Sequence, residues 1–370
     1  MRAIIAVLLT AACIVPAKNV VCAGGPITFS QTYRSGGFKA PMPLRNGSLL
    51  AARTSGTAVK CFLSADEGRS WREYSTIVSA QAPGCDIGDG HLMTLENGDI
   101  LYSYRFNIHR NKQTSEKSFS IRVAVSGDDG LTWKHHSTVA ATKGADFGYW
   151  SSFLMERPDG TLQCYYDDER SPSLSGLMGH QWITMKTCDR DTGRWSAPVT
   201  VSRAVGSLLS RDGRCSVVEI SPDHLLCVSE GVQEYAPHRG CLWITESRDG
   251  GKSWAMPHRK LWEPKNTDFN ALAPWAVRLN DGRLIVVFTT DEDRDKPTEA
   301  STGVLFQDLK YLVGDKDGAS WAGPWTIDNN YPIYFPGACV VKDKSEAEEI
   351  IVQYFTKAGF MCAIGRAANE

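Results

Sequence analysis

A short motif, Ser-x-Asp-x-Gly-x-Ser/Thr-Trp, recurs along this chain and constrains its fold more than any other feature. Complete copies end at Trp71, Trp133 and Trp254, and two degenerate copies end at Trp195 and Trp321. Subtracting neighbouring numbers gives separations of 62, 62, 59 and 67 residues. A regular period of this length is typical of a repeat architecture, in which each repeat is one supersecondary unit.

Each repeat predicts two strand pairs. Turn dipeptides such as Asn46-Gly47 and Asp159-Gly160 accept the positive φ angles of tight hairpins. Runs of β-branched and aromatic residues, such as residues 284–288, predict the flanking strands. The motif forms a second turn, in which Asp and Ser/Thr side chains bond turn amides. We therefore interpret the motif as structural, and its aspartates as poor catalytic candidates.

Five such units, and a sixth from Gly337 to Gly365 that lacks the motif, predict an all-β fold. The expected architecture is a six-bladed β-propeller with four antiparallel strands in each blade. The extra strand at 27–31 is predicted to complete the last blade and close the ring. A two-sheet sandwich is the competing all-β fold, but it gives no reason for a period near 62 residues.

The first 23 residues have the pattern of a secretory signal peptide. Arg2 supplies a positive end, residues 3–15 an apolar run, and Val21-Cys22-Ala23 a small-residue cleavage site. The apolar run is too short to span a bilayer. We expect the propeller, residues 24–370, to be secreted or periplasmic and monomeric.

Charge and cysteine content exclude some classes of function. The net charge of −2 gives no basic field that would favour nucleic acid. Eleven cysteines less Cys13 and Cys22 leave nine, without a Cys-x-x-Cys pair, and there is no His-rich cluster. The sequence therefore predicts no metal site and no cofactor. Cys164 and Cys227 lie in apolar runs, where small buried hydrophobic residues are expected.

The turns also select a functional face. Hairpin and motif turns share one face, so first strands begin and second strands end on the opposite face, near the axis where propellers bind ligands. The candidates at the starts of first strands are Lys39, Asp86, Asp89, Trp150, Arg214 and Tyr334. The candidates at the ends of second strands are Arg53, Arg105, Asp167, Asp168 and Glu230. Such a mixture of carboxylates, cations and aromatic rings suits a sugar.

The motif, its period and this rim resemble the sialidase superfamily of secreted glycoside hydrolases, in which the motif is called the Asp-box or bacterial neuraminidase repeat. The resemblance covers roughly the whole of residues 24–370. It implies an exo-acting hydrolase that removes a terminal sugar, sialic acid or an arabinose-type sugar, from a glycan.

Sialidases use an arginine triad for the substrate carboxylate, a Tyr nucleophile assisted by Glu, and an Asp acid/base. By resemblance, Tyr334 is the candidate nucleophile, Glu230 its helper, and Asp86 or Asp89 the acid. The stretch Phe38-Lys39-Ala40-Pro41 matches a Phe/Tyr-Arg-Ile-Pro motif. Lys39 keeps the charge but lacks the planar fork that grips a carboxylate at two points.

The exo-arabinanase type uses two glutamates instead. Residues 213–217 followed by 227–230 look like the segment that carries one of them, which assigns that role to Glu230. The other would lie in a Trp-Glu-Pro-Phe motif, for which this chain has Trp150-Ser151-Ser152-Phe153. Serine cannot act as the proton donor.

Two readings of the rim follow. In the first, a neighbouring Asp replaces the missing Glu, and the chain is a glycosidase. Its predicted catalytic residues are Glu230, Asp89, Asp168 and Tyr334. Its predicted substrate-binding residues are Lys39, Arg53, Asp86, Arg105, Trp150, Asp167 and Arg214. In the second, the site is degenerate and the protein is a glycan-binding propeller without catalysis.

Overall fold

Six antiparallel sheets make up the fold, as the predicted period requires. The computed structural model describes residues 25–37, 39–80, 84–109, 117–189, 192–206, 208–232, 240–297, 308–329, 332–342 and 348–367. The signal peptide expected at 1–23 lies outside the described residues and stays a prediction. No helix in the described part of the chain is long and apolar enough to cross a membrane.

Each sheet is one blade, and we number the blades in chain order. Blade 1 contains β2 (Met42–Pro43), β3 (Leu49–Ser55), β4 (Ala58–Ser64) and β5 (Arg72–Ser79). Blade 2 contains β6 (Cys85–Thr94), β7 (Ile100–Ile108), β8 (Ser118–Ser126) and β9 (Lys134–Lys143). Blade 3 contains β10 (Tyr149–Glu156), β11 (Leu162–Asp168) and β12 (Trp182–Asp189), with β13 (Arg194–Trp195) and β14 (Val199–Ser202) both paired to β12. A short helix, α1 (Arg170–Leu174), follows β11.

The other three blades complete the ring. Blade 4 contains β15 (Arg211–Ser221), β16 (His224–Val232), β17 (Gly240–Ser247) and β18 (Arg259–Trp262). Blade 5 contains β19 (Ala271–Arg278), β20 (Leu284–Thr290), β21 (Asp308–Gly314) and β22 (Trp321–Asp328). Blade 6 contains β23 (Ile333–Lys342), β24 (Glu348–Thr356), β25 (Gly359–Ala367) and β1 (Ile27–Arg34).

The first strands of neighbouring blades contact one another around a closed ring, from β2 through β6, β10, β15, β19 and β23 back to β2. These strands therefore surround the axis. The N-terminal strand β1 pairs with β25 as the outermost strand of blade 6, which confirms the predicted closure. Ile27 and Phe29 of β1 are buried in the largest hydrophobic core, whereas Thr28 between them is exposed.

The second strands of blades 2 to 6 are largely buried. Every residue of β20 is buried, in keeping with its unbroken run of apolar and Thr side chains. The nine cysteines from Cys61 onward are free thiols, and seven of them are buried. Cys164 and Cys227 are among these, so the expectation of small buried hydrophobic residues is confirmed.

The repeated motif forms the turn between the third and fourth strands. In blade 1, Asp66 accepts hydrogen bonds from the backbone N–H and the hydroxyl of Ser70, at 2.8 and 2.5 Å. Ser64 accepts the N–H of Gly68, and the indole of Trp71 donates to the Gly68 carbonyl. The copies ending at Trp133 and Trp254 repeat these contacts. The structural interpretation of the motif is confirmed.

The degenerate copies differ in detail. In the copy that ends at Trp321, Asp315 accepts the N–H groups of Ala319 and Ser320, at 2.8 and 3.0 Å. The Asp that holds this turn is therefore Asp315 and not Asp317, the Asp next to the motif glycine. In the copy that ends at Trp195, Asp191 lies outside the described residues.

Backbone irregularities recur where the first strands begin. The ladder between first and second strands shifts register in five blades, between Gly88 and His91 in blade 2 and at equivalent places in blades 3 to 6. At or beside this position, five non-glycine residues have φ between 49° and 61°: Lys39, Asp89, Arg214, Ala273 and Phe335. A β-bulge inserts an extra residue and re-aims its side chain. In blades 2, 4, 5 and 6 the bulge thus contains one of these positive-φ residues, and in blade 1 Lys39 precedes β2.

Candidate active site

The site is formed where blades 1 to 4 meet, on the face opposite the motif turns. Within blade 4 the ladder pairs Gly213, near the start of β15, with Glu230, near the end of β16. Within blade 3 it pairs Tyr149 with Asp168. The expected meeting of first-strand starts and second-strand ends is therefore confirmed.

Asp89 is the centre of a cluster of cations. Lys39 Nζ lies 2.7 Å from Asp89 Oδ1, Arg214 Nη1 lies 3.3 Å from the same oxygen, and Arg105 Nη1 lies 2.6 Å from Oδ2. Ser151 Oγ also donates to Oδ2, at 2.7 Å. Burial alone would raise the pKa of Asp89, but Arg214, Lys39 and Arg105 hold it well below the usual range.

Arg105 joins this cluster to the rim. Its Nε and Nη2 each lie 2.9 Å from the two oxygens of Asp86, a bidentate pair. His109 Nε2 lies 3.3 Å from Asp86 Oδ2, and its ring stacks on Trp150 with centroids 5.5 Å apart. The indole Nε1 of Trp150 is buried and has no hydrogen-bond partner among the described residues. Trp150 thus combines a ring near the site with a free N–H donor.

Asp167 is buried beside this cluster. Its one hydrogen bond within the described residues comes from the backbone N–H of Arg214 to Oδ1, at 3.0 Å. Burial, together with the neighbouring Asp89 and Glu230, raises the pKa of Asp167 to about 7 against the opposing charges of Arg214 and Lys39. Asp167 is therefore a carboxyl group that holds a proton near neutral pH.

Gly213 leaves the space that Asp167 occupies. A Cβ at Gly213 would lie 2.6 Å from Gln181 Nε2 and 3.2 Å from Asp167 Oδ2. Any side chain at this position would displace one of these two groups. The glycine before Arg214 is thus part of the site, because it lets blade 4 approach the carboxyl group of blade 3.

Glu230 faces the same region from blade 4. Its Oε2 accepts the N–H of Ala273 at 2.6 Å, and its Oε1 lies 3.7 Å from Arg214 Nε. Burial raises the pKa of Glu230, while Arg214 and the Ala273 N–H oppose that rise. Glu230 and Asp167 therefore both contact Arg214, Glu230 through the side chain and Asp167 through the backbone.

Asp168 does not share this environment. Its Oδ1 accepts the N–H groups of Arg170 and Ser171, and its Oδ2 accepts the hydroxyls of Ser171 and Thr184. These bonds fix the turn into α1 and occupy both oxygens. The prediction of a catalytic role for Asp168 is therefore corrected: its carboxylate supports the loop, and the adjacent Asp167 faces the site.

Two other candidates make contacts elsewhere. The guanidinium of Arg53 lies between the rings of Phe62 and Phe360, 4.1 and 4.9 Å from their centroids. This places its charge beside rings of blades 1 and 6, and its contact with substrate stays a prediction. Tyr334 packs against Phe335 and Phe355, with centroids 6.0 and 5.9 Å apart, and its hydroxyl makes no contact with Glu230.

Sequence reasoning missed two contributors. The ring of Phe335 lies 4.0 Å from the guanidinium of Arg214 and fixes its orientation. The Ala273 N–H holds Glu230, and this depends on a positive φ of 53° at an alanine. Neither role could be predicted from the residue type, since phenylalanine and alanine are common in structural positions. The position of each at the start of a first strand was the available clue.

No protein-family model and no curated protein sequence matches this chain. Solved structures do resemble it. An α-L-arabinofuranosidase from Fusarium graminearum, bound to an iminosugar inhibitor, is 17% identical, with a TM-score of 0.62 over 92% of this chain and 98% of that one. An α-L-arabinanase from Penicillium chrysogenum, bound to arabinobiose, is 18% identical, with a TM-score of 0.61 over 89% and 93%.

A sialidase resembles the chain less closely. The enzyme from Trypanosoma rangeli, bound to 2,3-difluorosialic acid, is 12% identical, with a TM-score of 0.53 over 90% of this chain and 54% of that one. At these identities the likeness concerns the fold. The chain therefore shares the propeller fold of the sialidase and arabinanase structures, as the repeated motif predicted.

Proposed function

We propose that this protein is a glycoside hydrolase that removes a terminal sugar from glycans, with Asp167 as general acid and Glu230 as nucleophile or base. The observation that carries the proposal is the pair of largely buried carboxyl groups that both contact Arg214, Asp167 through its backbone N–H and Glu230 through its guanidinium. Glycoside hydrolysis needs such a pair: one carboxyl protonated, the other ionised.

Asp167 has the properties of the acid. With a pKa of about 7 it keeps a substantial protonated fraction at neutral pH and is mostly protonated below it. Its single hydrogen bond, to Oδ1, leaves Oδ2 to carry the proton toward the oxygen of the leaving group. Asp89 cannot take this role, because three cations keep it ionised.

Glu230 has the properties of the partner carboxylate. The Ala273 N–H orients one oxygen, and Arg214 favours the charged form of the group. An ionised Glu230 can attack the anomeric carbon or activate a water for that attack. Arg214 links both roles, since its charge acts on both carboxyl groups.

The similar propellers bear on the substrate. An arabinofuranosidase holds an iminosugar and an arabinanase holds arabinobiose, whereas the sialidase holds a sialic acid derivative. We propose a terminal arabinose-type or sialic acid residue as the substrate. Export of the chain as a secreted or periplasmic monomer is also a proposal, and the leader pattern at 1–23 supports it.

The test is hydrolysis of a panel of aryl glycosides, including α-L-arabinofuranosides and sialosides, by the wild type and Glu230→Gln. We expect Glu230→Gln to reduce kcat/KM by about a hundredfold or more, because the neutral amide can neither attack nor activate water. Glu73→Gln is the matched control, since its carboxylate pairs with Lys60 on an outer strand. Unchanged turnover of every cleaved substrate by Glu230→Gln would show that the assignment is wrong.

A glycan-binding propeller without catalysis is the second candidate. The observation that favours it is Ser151, which stands where the related motif has a Glu and donates its hydroxyl to Asp89. Saturable binding of one glycan by the wild type, with no hydrolysis across the panel, would support this alternative.

A further inference from the structure

Three cations of the site converge on a carboxylate that belongs to the chain itself. Lys39, Arg105 and Arg214 come from blades 1, 2 and 4, and all three lie within 3.3 Å of an oxygen of Asp89. A cluster of this kind, without Asp89, would be a site for a carboxylate ligand. In this structure the side chain of Asp89 occupies that position.

The Asp89 carboxylate takes up a donor from each of the three cations. Each oxygen of Asp89 has two partners: Lys39 and Arg214 on Oδ1, Arg105 and Ser151 on Oδ2. Arg105 also places Nε and Nη2 on Asp86, so its fork is fully used. Lys39 donates in addition to the Asp89 carbonyl, at 2.9 Å. No bidentate donor of Arg105 remains for an incoming anion.

The charges of the cluster also balance. The three cations face three carboxyl groups that lie within ion-pair distance of them: Asp86, Asp89 and Glu230. With Asp167 protonated, the formal charges cancel. An incoming carboxylate would therefore meet no surplus positive charge, and it would lose its hydration without compensation.

The backbone conformation of Asp89 indicates that contacts with neighbouring residues fix its position. Its φ of 52° is uncommon for a residue other than glycine, and its side chain is 8% exposed. Strained backbone of this type persists where neighbouring contacts over-determine it, and it is concentrated at functional sites. The four partners of the carboxylate supply those contacts.

From this geometry we infer that Asp89 is an internal counter-ion that determines specificity: it occupies the cationic cluster, so that the axial subsite accepts neutral sugars and excludes sugars that carry a carboxylate. The inference rests on the proposed function for the location of the sugar. It narrows the two proposed substrate classes to the neutral, arabinose-type sugar.

The first experiment measures whether removal of Asp89 creates an anion site. Thermal unfolding of the wild type, Asp89→Ala and the control Glu73→Gln is recorded in sodium acetate and in sodium chloride of equal ionic strength. Ligand binding to the folded state raises Tm. We expect acetate to raise the Tm of Asp89→Ala in a saturable manner, with no difference between the two salts for the wild type or the control.

The second experiment compares sugars directly. The wild type is titrated calorimetrically with a neutral furanose iminosugar and with N-acetylneuraminic acid. We expect the Kd of the acid to be about a hundredfold or more higher than that of the iminosugar. Asp89→Asn, which keeps a hydrogen-bond acceptor for Ser151, is expected to narrow that difference by about tenfold. It serves as the variant of choice where Asp89→Ala fails to fold.

The outcomes separate this inference from the proposed function. Equal or tighter binding of N-acetylneuraminic acid by the wild type overturns the inference, as does an acetate effect on Asp89→Ala no larger than that on the wild type. Neither readout needs turnover. A rise in the Tm of Asp89→Ala in acetate supports the inference. If the wild type at the same time hydrolyses no glycoside of the panel, the proposed function is contradicted.

Discussion

Adjacent residues of one strand take unrelated roles at this site. Asp167 and Asp168 are consecutive in β11, so their side chains point to opposite faces of the strand. One faces Arg214, and the other faces the loop through Ser171 and Thr184. The sequence placed both at the end of a second strand, but it could not decide which faces the axis. All the remaining residues of β11 are buried too. No alternation of polar and apolar residues therefore indicates which face of the strand points to the axis.

The pKa values of two residues predict how activity depends on pH. Burial raises the pKa of Asp167 to about 7, so the protonated acid is lost as pH rises through that value. Burial also raises the pKa of Glu230 above 4.5, so the ionised partner is lost as pH falls through its raised value. We expect a bell-shaped profile of kcat/KM with its alkaline limb near pH 7.

That profile is measured with the best substrate of the panel, between pH 4 and 9. Arg214→Met should raise the pKa of both carboxyl groups, since its charge lowers both, and should shift both limbs to higher pH. An alkaline limb that stays in place in Arg214→Met would contradict the electrostatic account.

At the scale of the strand, bulges carry the site. Asp89 and Arg214 lie in bulges of first strands, and Lys39, which precedes β2, shares their positive φ. None is a residue type that favours this conformation strongly, so propensity could not predict the bulges. The motif turns were predictable, because their Asp, Gly and Ser/Thr side chains bond within the turn itself.

The motif predicts a variant that loses stability without losing activity. Asp128 accepts the N–H and the hydroxyl of Thr132, at 2.8 and 2.6 Å, on the face opposite the site. We expect Asp128→Ala to lower Tm and to leave kcat/KM of the panel's best substrate unchanged. Asp317→Ala is the control, because its carboxylate makes no hydrogen bond among the described residues and Asp315 holds that turn. A loss of turnover in Asp128→Ala with Tm unchanged would show that the motif takes part in the chemistry.

At the scale of the molecule, the ring is closed by strands from the two ends of the described chain. Strand β1 pairs with β25, so blade 6 combines residues separated by most of the sequence. The period of the motif and an unpaired strand at 27–31 were enough to predict this closure. The meeting of blades 1 to 4 around Asp89 could not be predicted, because it depends on contacts between side chains of different repeats.

The closure of the ring by β1 predicts that truncating Phe29 lowers the stability of the protein strongly. Phe29 is 1% exposed and lies against Gly365 of the neighbouring strand β25. We expect Phe29→Ala to reduce the free energy of unfolding by about 3–5 kcal/mol, because it leaves a cavity in the core. Thr28→Ala, on the exposed face of the same strand, should change it by about 0.5 kcal/mol or less. Denaturant unfolding measures both values, and equal effects would contradict the role of β1 in closing the core.

The assignment of Asp167 as the proton donor is the central claim. It is tested by comparing Asp167→Asn with the wild type on two aryl glycosides of the same sugar, one with an acidic phenol as leaving group and one with a poor leaving group. A poor leaving group needs the proton, whereas an acidic phenol departs without it. We predict that Asp167→Asn reduces kcat/KM by about a hundredfold or more for the poor leaving group and by less than about tenfold for the acidic phenol. An equal loss for both substrates, or none for either, would contradict the account.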